Sequence, residues 1–308
     1  MSAADIAGDD IPIVDAHHHL WDLEALHYPF LDDAVEADFF LGDYASIRRD
    51  YLPEDYRRDS ANQNVVATVH VEAECDRAMQ VAETRWLAAI NARHGFPDAI
   101  VAHAWFDRPD TEAVLAAQAE FPLVRGIRSK PVTAPAPEAM RPGAPGTMQD
   151  PKWLAGFALL EKYDLSWDLR VPCWHLEEAA EVARAFPATR IVLNHTGFPW
   201  DRSENGLALW RRGMRALAAR PKVHVKISCL CLPDGPWTLA GNRDIVLETI
   251  DIFGVERCMF ASNYPVDGLR AGFDLIYNSF KAIVADFPRA DRERLFATNA
   301  AAFYRIPL

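Results

Sequence analysis

The 308-residue sequence predicts a single α/β domain, residues 1–308, with the (β/α)8 TIM-barrel fold. The prediction rests on eight short apolar runs, many of them β-branched, that alternate with segments of helical periodicity. No linker-like or low-complexity stretch divides the chain, so a second domain is not expected. An open, doubly wound sheet is the alternative, but no glycine-rich turn follows an early strand. The strands are predicted at residues 11–19, 65–73, 99–107, 123–131, 165–174, 190–197, 223–230 and 258–265.

Helices are predicted between these strands and after the last one. Asp76 and Asp110 are typical N-cap residues, because a short acceptor side chain can bond a free backbone N–H of the first turn. Phe186-Pro187 and Arg220-Pro221 end two helices, since a residue before proline disfavours the helical conformation. The helices are predicted at residues 76–94, 110–121, 151–163, 176–186, 205–220, 241–254, 270–286 and 289–303.

Two connections are long for a barrel of this kind. Residues 20–64 are rich in aromatic and acidic residues, and residues 133–149 are rich in proline, alanine and glycine. In a (β/α)8 barrel such βα connections lie over the C-terminal mouth, where active sites form. Both segments are therefore predicted to form a lid or a wall of a binding pocket.

Charge and composition argue against several classes of protein. A net charge of −12 disfavours nucleic-acid binding, which needs a basic face. No apolar run reaches the about 18 residues that span a bilayer, and residues 1–10 lack the basic and apolar regions of a signal peptide. The cysteines are odd in number and lie in or beside apolar runs, as expected of reduced thiols. These features predict a cytoplasmic protein whose partner is a small molecule.

The first strand ends in three consecutive histidines. Side chains alternate along a strand, so Asp15, His17 and His19 are predicted on one face and His18 on the other. Two imidazoles at i and i+2 can reach one divalent cation, since borderline metals favour nitrogen ligands. The strand end is therefore a candidate metal site.

Side chains from three other strand ends are predicted to join this pair of imidazoles. His195 ends the sixth strand in the direction of Leu193 and would complete three nitrogens around an open site. Glu72, at the end of the second strand, is the carboxylate best placed as a ligand or general base. Asn263 ends the eighth strand and can hydrogen-bond or ligate weakly, but it cannot accept a proton.

Polar residues at alternate strand positions are predicted to point into the barrel, because the apolar face should pack on the helices. Such burial favours a functional role, with structural polar layers as the alternative. Arg128 and Lys130 leave the fourth strand near the mouth, where an arginine fork suits a substrate carboxylate and an ordinary ion pair is the alternative. Asp168 and Arg170 are expected to pair with each other. The polar residues predicted to point inward are Thr68, His70, Glu72, His103, Trp105, Asp107, His224, Lys226 and Ser228.

These motifs resemble those of the amidohydrolase superfamily, in particular the branch of TIM-barrel metal-dependent hydrolases that contains sugar lactonases and the pyrone-dicarboxylate lactonase. The resemblance spans nearly the whole chain, with the motifs in order at the strand ends. It is carried by Asp15–Trp21, Val71–Ala73, Gly126–Arg128, Leu193–Gly197, Val225–Ser228, Ser262–Val266 and Asn299–Tyr304.

The resemblance implies that the imidazoles hold one divalent metal ion, zinc or manganese, or polarise the substrate directly in metal-independent members. Many members carry an aspartate after the eighth strand that activates water, whereas this chain has Asn263. The proton would then pass to Glu72 or Asp267, unless a metal-bound hydroxide attacks. Lys130 is not placed as the carboxylated lysine of binuclear members, so we expect one metal or none. The implied metal ligands are His17, His19, His195 and Glu72.

The sequence therefore predicts a hydrolase of a lactone or related cyclic ester or amide, with a carboxylate on the substrate as one option and homo-oligomerisation left open. A metal-dependent decarboxylase or hydratase of an aromatic or muconate-type acid is one alternative. A catalytically silent barrel that binds a small acid is another, and Asn263 favours it. The predicted catalytic residues are Glu72, Asn263 and His195, and the predicted substrate-binding residues are Trp105, Arg128 and Lys226.

Overall fold

The structure, a computed structural model, describes residues 10–232 and 235–308 and contains eight parallel strands in chain order. The strands are β1 Ile13–His18, β2 Val65–Val71, β3 Ala99–Ala102, β4 Val124–Ile127, β5 Ser166–Leu169, β6 Ile191–Leu193, β7 Val223–Ile227 and β8 Cys258–Phe260. A parallel bridge between His18 and Tyr264 closes the sheet, and the Asn263 N–H donates to the His17 carbonyl oxygen at 2.8 Å. This topology confirms the predicted (β/α)8 barrel.

All the predicted helices are present with shifted bounds. Asp76 caps a short 3-10 turn by accepting a hydrogen bond from the Ala78 N–H at 2.9 Å, whereas the Asp110 side chain makes no capping bond. No helix in the described ranges is long and apolar enough to cross a membrane. The helices are α1 Pro29–Asp32, α2 Pro53–Asp59, α3 Gln80–His94, α4 Thr111–Ala119, α5 Pro151–Lys162, α6 Leu176–Ala185, α7 Glu204–Ala218, α8 Leu239–Phe253, α9 Phe273–Ile283, α10 Arg289–Glu293 and α11 Asn299–Tyr304, with a π-helical segment Arg294–Thr298 between the last two.

The strands end earlier than predicted because the chain leaves the sheet through left-handed backbone conformations. The φ angle is +60° at Glu74, +57° at His195, +49° at Cys229 and +54° at Asn263. Residues other than glycine rarely adopt this conformation, and each instance costs about 1–3 kcal/mol. All four lie at the mouth of the barrel, which is where strain of this kind accompanies function.

Buried apolar side chains form two clusters, one between the strands and the helices and one inside the barrel. Ile100, Leu169 and Ile227 belong to the outer cluster. The interior is narrow, so small aliphatic side chains fill it, and the C-terminal segment covers its lower end. Members of the interior cluster include Val14, Ala16, Val69, Val71, Val101, Val192, Met259, Ala261, Phe303 and Tyr304.

A buried ion pair lies inside the barrel beneath the mouth. Lys226 Nζ is 2.6 Å from Asp168 Oδ1, and both side chains are fully buried. The Tyr304 hydroxyl and Asn194 Nδ2 donate to the same carboxylate at 2.9 and 3.1 Å. The expected pair between Asp168 and Arg170 is therefore wrong, because Lys226 of β7 reaches Asp168 across the barrel.

β1 contains a β-bulge between Asp15 and His18, where the register advances by three residues in β1 and by two in β2. The extra residue breaks the alternation of side chains. His17 and His19 both point to the mouth, while Asp15 and His18 point to the surrounding helices. The prediction that Asp15 shares the face of the two mouth histidines is therefore wrong.

Asp15 joins the barrel to the helices that surround it. Its carboxylate accepts hydrogen bonds from the Tyr56 hydroxyl of α2 at 2.8 Å and from the Tyr277 hydroxyl of α9 at 3.1 Å. The Ser262 N–H and Oγ, which follow β8, also donate to it at 2.8 and 2.6 Å. Asp15 is thus a structural residue, not a member of the mouth.

The faces predicted for β2 are reversed in the structure. Val69 and Val71 lie in the interior cluster, so Thr68 and His70 point outward. The His70 ring bonds the carbonyl oxygen of the first long connection at Leu20. The interior accepts the aliphatic face of this strand. On the polar face, His70 Nε2 bonds a loop carbonyl, whereas His70 Nδ1 and Thr68 Oγ1 have no hydrogen-bond partner among the described residues.

Candidate active site

A cavity of about 640 Å³ opens at the C-terminal mouth of the barrel, a size typical of small-molecule sites. Residues 20–64 form one wall with Trp21, Phe30, Phe39 and Phe40, as predicted for this connection. Residues 133–149 are also described, but none of them lines the cavity. The lining residues that follow strands include His19, Trp105, Arg128, Arg170, His195 and Asn263.

Three imidazoles cluster at the mouth of the barrel, where His19 and His195 line the cavity and His17 lies against both without lining it. The ring centroid of His17 lies 4.5 Å from that of His195 and 5.0 Å from that of His19. His19 Nδ1 bonds the Val71 carbonyl oxygen at 2.8 Å, and His195 Nδ1 bonds Ser228 Oγ at 3.0 Å. These contacts orient both rings and leave each Nε2 available for a ligand. The structure therefore brings together the three histidines that the sequence singled out.

His195 reaches the cluster by a different route from the one predicted. Leu193 packs on the helix side of the barrel, so regular alternation would direct His195 outward as well. The left-handed conformations of His195 and Thr196, with φ near +57° and +56°, turn the imidazole to the mouth instead. The expected common direction of Leu193 and His195 is thus wrong, although the placement of the ring is confirmed.

The three imidazoles are neutral at physiological pH. Burial lowers the pKa of His17 and of His195 well below the usual value, and the positive charges of Lys226 and Arg170 act in the same direction. Burial and Arg128 lower the pKa of His19 to about 4. Neutral imidazoles keep lone pairs that can bind a cation.

The donor chemistry of the cluster fits a single divalent metal ion. Both ring nitrogens of His17, like those of His18, are buried without a hydrogen-bond partner among the described residues, but only the His17 ring lies against the other mouth imidazoles. The second nitrogens of His19 and His195 are held by a carbonyl and a hydroxyl, the pattern that orients metal-binding histidines. As the side chains stand, however, no group of three histidine, cysteine or acidic residues in the described ranges has its donor atoms converged for coordination.

The Glu72 carboxylate is engaged by two arginines. Arg128 Nε donates to Oε1 at 2.6 Å, and Arg77 Nη1 donates to Oε2 at 2.9 Å. Burial acts to raise the pKa of Glu72, but Arg128 and Arg77 outweigh it and hold the pKa well below the usual value. Glu72 also lies outside the cavity lining. Its position fits an anchor for Arg128 better than the predicted roles of metal ligand or base.

Asn263 lines the cavity and is backed by a second polar residue. Its Nδ2 donates to Asp267 Oδ1 at 2.7 Å. Asp267 is buried behind it, where the thiols of Cys229 and Cys231 also donate to the carboxylate. Burial raises the pKa of Asp267 to about 7, against the lowering effect of these hydrogen bonds.

Arg170 is the cation that sequence reasoning missed as a binding residue. Its guanidinium lines the cavity and lies over the rings of Phe198, at 5.1 Å, and Phe40, at 5.8 Å. It forms no ion pair or side-chain hydrogen bond with the residues that the structure describes, whereas Lys130 pairs with Glu74 at 2.5 Å. Its position directly after β5 indicates that Arg170 lies at the mouth of the barrel. The expected ion pair with Asp168 kept it from being predicted as a binding residue.

The two remaining predicted substrate-binding residues have different positions. Trp105 lines the cavity, where Arg77 lies 5.3 Å over its ring. Lys226 is fully buried beside Asp168, below the imidazoles, and does not line the cavity. The structure therefore places Trp105, but not Lys226, where a substrate could touch it.

The barrel with polar groups converged at its C-terminal mouth is the arrangement of an enzyme. A family model described as "Amidohydrolase" matches residues 14–306. The chain therefore belongs to the amidohydrolase family, and it is a hydrolase.

Three relatives show what the chain resembles in detail. It is 41% identical over 297 residues to the uncharacterized protein y4mH of Sinorhizobium fredii, covering 96% of this chain and 99% of that one. It is 30% identical to an L-fucono-1,5-lactonase of Burkholderia ambifaria, covering 95% of both chains. A crystal structure of an amidohydrolase from Burkholderia multivorans with bound zinc has a TM-score of 0.79 and 25% identity, covering 96% of this chain and 99% of that one.

Proposed function

We propose that the protein hydrolyses a lactone that carries a carboxylate group, at the three imidazoles of the barrel mouth. The observation that carries the proposal is one cavity in which neutral imidazoles, the Asn263 amide and the unpaired Arg170 guanidinium lie together. The similarity to an L-fucono-1,5-lactonase supports the reaction class. Arg170, which forms no ion pair with the described residues, supports a negative charge on the substrate.

Lactone hydrolysis bonds the water oxygen to the ring carbonyl carbon and breaks the ring C–O bond. One water proton ends on the departing ring oxygen as the new hydroxyl, and the other on the new carboxyl group, which releases it to solvent. His17, His19 and His195 would hold the divalent ion, and the ion would polarise the carbonyl and lower the pKa of water. Asn263 Oδ1 accepts a hydrogen bond from the attacking water and orients it, but takes no proton. Arg128, fixed by Glu72, stabilises the negative charge that develops on the carbonyl oxygen.

The cations nearest the strand ends support an anionic substrate, although the lining as a whole also includes the carboxylates of Glu36, Asp38 and Asp76. Four cationic side chains lie near the cavity floor, and only two carboxylates, those of Glu72 and Glu74, pair with three of them. The remaining cation, Arg170, is half-buried and lies over two aromatic rings. A guanidinium in this setting binds a carboxylate through two parallel hydrogen bonds. The four cations are Arg77, Arg128, Lys130 and Arg170.

A lactone panel tests the proposed function directly. Purified, metal-replete protein is assayed with a pH indicator against neutral sugar lactones, carboxylate-bearing lactones, linear esters and amides. We expect turnover of lactones, with the highest kcat/KM for those that carry a carboxylate. Absence of turnover with every lactone contradicts the reaction class, and a preference for neutral lactones contradicts only the role of Arg170.

Metal analysis tests the proposed role of the imidazoles. Elemental analysis of the purified protein should find about one equivalent of zinc or manganese per chain. The same analysis of His17→Phe should find the metal lost, whereas Lys162→Met, on the exposed surface, should retain it. Full activity after chelation, without bound metal, would show that the imidazoles polarise the carbonyl without an ion.

A further inference from the structure

The end of β8 holds a buried pair of polar side chains with unequal access to the cavity. Asn263 Nδ2 donates to Asp267 Oδ1 at 2.7 Å, and the Asp267 backbone N–H donates to the Asn263 carbonyl oxygen at 3.0 Å. Asn263 lines the cavity, whereas Asp267 does not. The two residues are 2% and 1% exposed, so the bond between them is shielded from water.

This bond decides which end of the Asn263 amide faces the cavity. A carboxylate only accepts hydrogen bonds, whereas an amide has a donor NH2 at one end and an acceptor oxygen at the other. In its ionised form, which prevails above its pKa of about 7, Asp267 therefore draws Nδ2 toward itself and turns Oδ1 away.

The surroundings of Asp267 make this orientation stable. The thiols of Cys229 and Cys231, from the segment after β7, donate to the carboxylate that accepts from Asn263. Because Asn263, Cys229 and Cys231 all donate to the carboxylate, none of them competes with the hydrogen bond from the Asn263 amide as an acceptor would. The left-handed backbone of Asn263, with φ +54°, further fixes where the amide can point.

We propose that Asp267 is a positioning residue for hydrolysis, which holds the Asn263 amide with its oxygen toward the attacking water. The inference rests on the proposed function. An amide oxygen accepts a hydrogen bond from the water and so directs the water lone pair to the carbonyl carbon. An amide NH2 in the same place would bind that lone pair and hold the water in an unproductive orientation. Asp267 itself touches neither water nor substrate, because it lies behind Asn263.

Four proteins test the proposal as a double-mutant cycle: wild type, Asn263→Asp, Asp267→Asn, and the swap Asn263→Asp/Asp267→Asn. In Asp267→Asn the amide of residue 267 can donate, so the Asn263 amide loses its fixed orientation. We expect kcat to fall about 10- to 100-fold with little change in KM, since misorientation of a reacting group affects chemistry more than binding. In Asn263→Asp two carboxylates meet at hydrogen-bonding distance, share a proton and lose activity.

The swap restores the hydrogen bond with its direction reversed, because the amide at 267 donates to the carboxylate at 263. We expect the kcat of the swap to be about tenfold or more above the value obtained by multiplying the effects of the two single variants. Residues that act as one unit are non-additive in this way. It should also gain an acidic limb in its pH profile, since the carboxylate now facing the cavity acts only when ionised. Effects that simply multiply, or an Asp267→Asn protein with wild-type kcat, would overturn the proposal.

A readout that does not depend on turnover separates this inference from the proposed function. In protein labelled with 15N at asparagine, the Asn263 NH2 signal is identified by its loss in Asn263→Asp. We expect slow solvent exchange of this NH2 in the wild type and fast exchange in Asp267→Asn. A wild-type protein with slow exchange but no lactone turnover defeats the proposed function alone. Fast exchange in the wild type, whatever its activity, defeats the positioning role.

Discussion

In the proposed function, Arg170 is the residue that selects a carboxylate-bearing substrate. Its charge lies in the cavity without a partner among the described residues, although burial lowers its pKa from the usual value. A half-buried cation without an ion-pair partner among the described residues costs free energy, and the proposed anionic substrate would offset that cost. The aromatic rings of Phe40 and Phe198 contribute favourable contacts but no negative charge.

Replacement of Arg170 by methionine should therefore act selectively. We expect kcat/KM for carboxylate-bearing lactones to fall about 10- to 100-fold, the equivalent of one charge-assisted hydrogen-bonded contact. The kcat/KM for neutral lactones should stay near the wild-type value or rise. Steady-state kinetics on both substrate classes measure this, with Arg212→Met as the control because Arg212 forms an exposed pair with Glu177. An equal loss on both classes would contradict a charge-specific role.

At the scale of elements, the site depends on how each strand ends. β1 adds a residue at its bulge, β6 turns through the left-handed His195, and β8 ends at the left-handed Asn263. Each irregularity turns a side chain to the mouth of the barrel. Regular alternation along the strand would not by itself place that side chain there. The strand ends thus create the site, while the regular parts of the strands hold the barrel.

α3 contributes a buried acid, Glu83, that should make stability depend on pH. Its carboxyl accepts from the Ala73 N–H at 2.9 Å, and burial together with the charge of Glu72 raises its pKa from 4.5 to about 8. Between pH 4.5 and about 8, Glu83 keeps its proton in the native state and loses it in the unfolded chain. The contribution of Glu83 to the free energy of unfolding therefore falls as pH rises through this window.

Glu83→Gln should remove this dependence. Between pH 5 and 7, we expect the difference in unfolding free energy between the variant and the wild type to grow in favour of the variant by about 1.4 kcal/mol per pH unit. Urea unfolding at several pH values measures the slope, and Glu112→Gln, which alters an exposed pair, should leave it unchanged. Parallel slopes for wild type and Glu83→Gln would show that Glu83 is ionised in the native state.

For the molecule as a whole, the buried pair of Lys226 and Asp168 ties β7 to β5 and to the C-terminal Tyr304. Lys226→Met should lower the free energy of unfolding by about 3–5 kcal/mol, because Asp168 keeps an uncompensated charge. Lys226→Met/Asp168→Asn should recover part of that loss. Urea unfolding measures both, and Lys162→Met on the exposed surface should cost less than about 1 kcal/mol. A double variant less stable than Lys226→Met would contradict the pairing.

The sequence was sufficient for the order of strands and helices and for the three histidines, because both follow from local periodicity and from residue type. It was insufficient for side-chain direction. The bulge before His18 is visible only in the pairing of two strands, and the outward direction of His70 depends on how narrow the interior is. The sequence also could not predict ion pairs between residues that are distant in the chain. Examples are Asp168 with Lys226 and Glu72 with Arg128.

The most direct test of the hydrolytic centre compares two neighbouring histidines given the same substitution. His17 points to the mouth, whereas His18 packs against Tyr56 at 4.5 Å and has no hydrogen-bond partner on either ring nitrogen. We expect His17→Phe to lose about 100- to 1,000-fold or more in kcat/KM for a carboxylate-bearing lactone, while His18→Phe, equally folded by circular dichroism, stays near the wild-type value. A folded His17→Phe protein as active as His18→Phe would contradict the account.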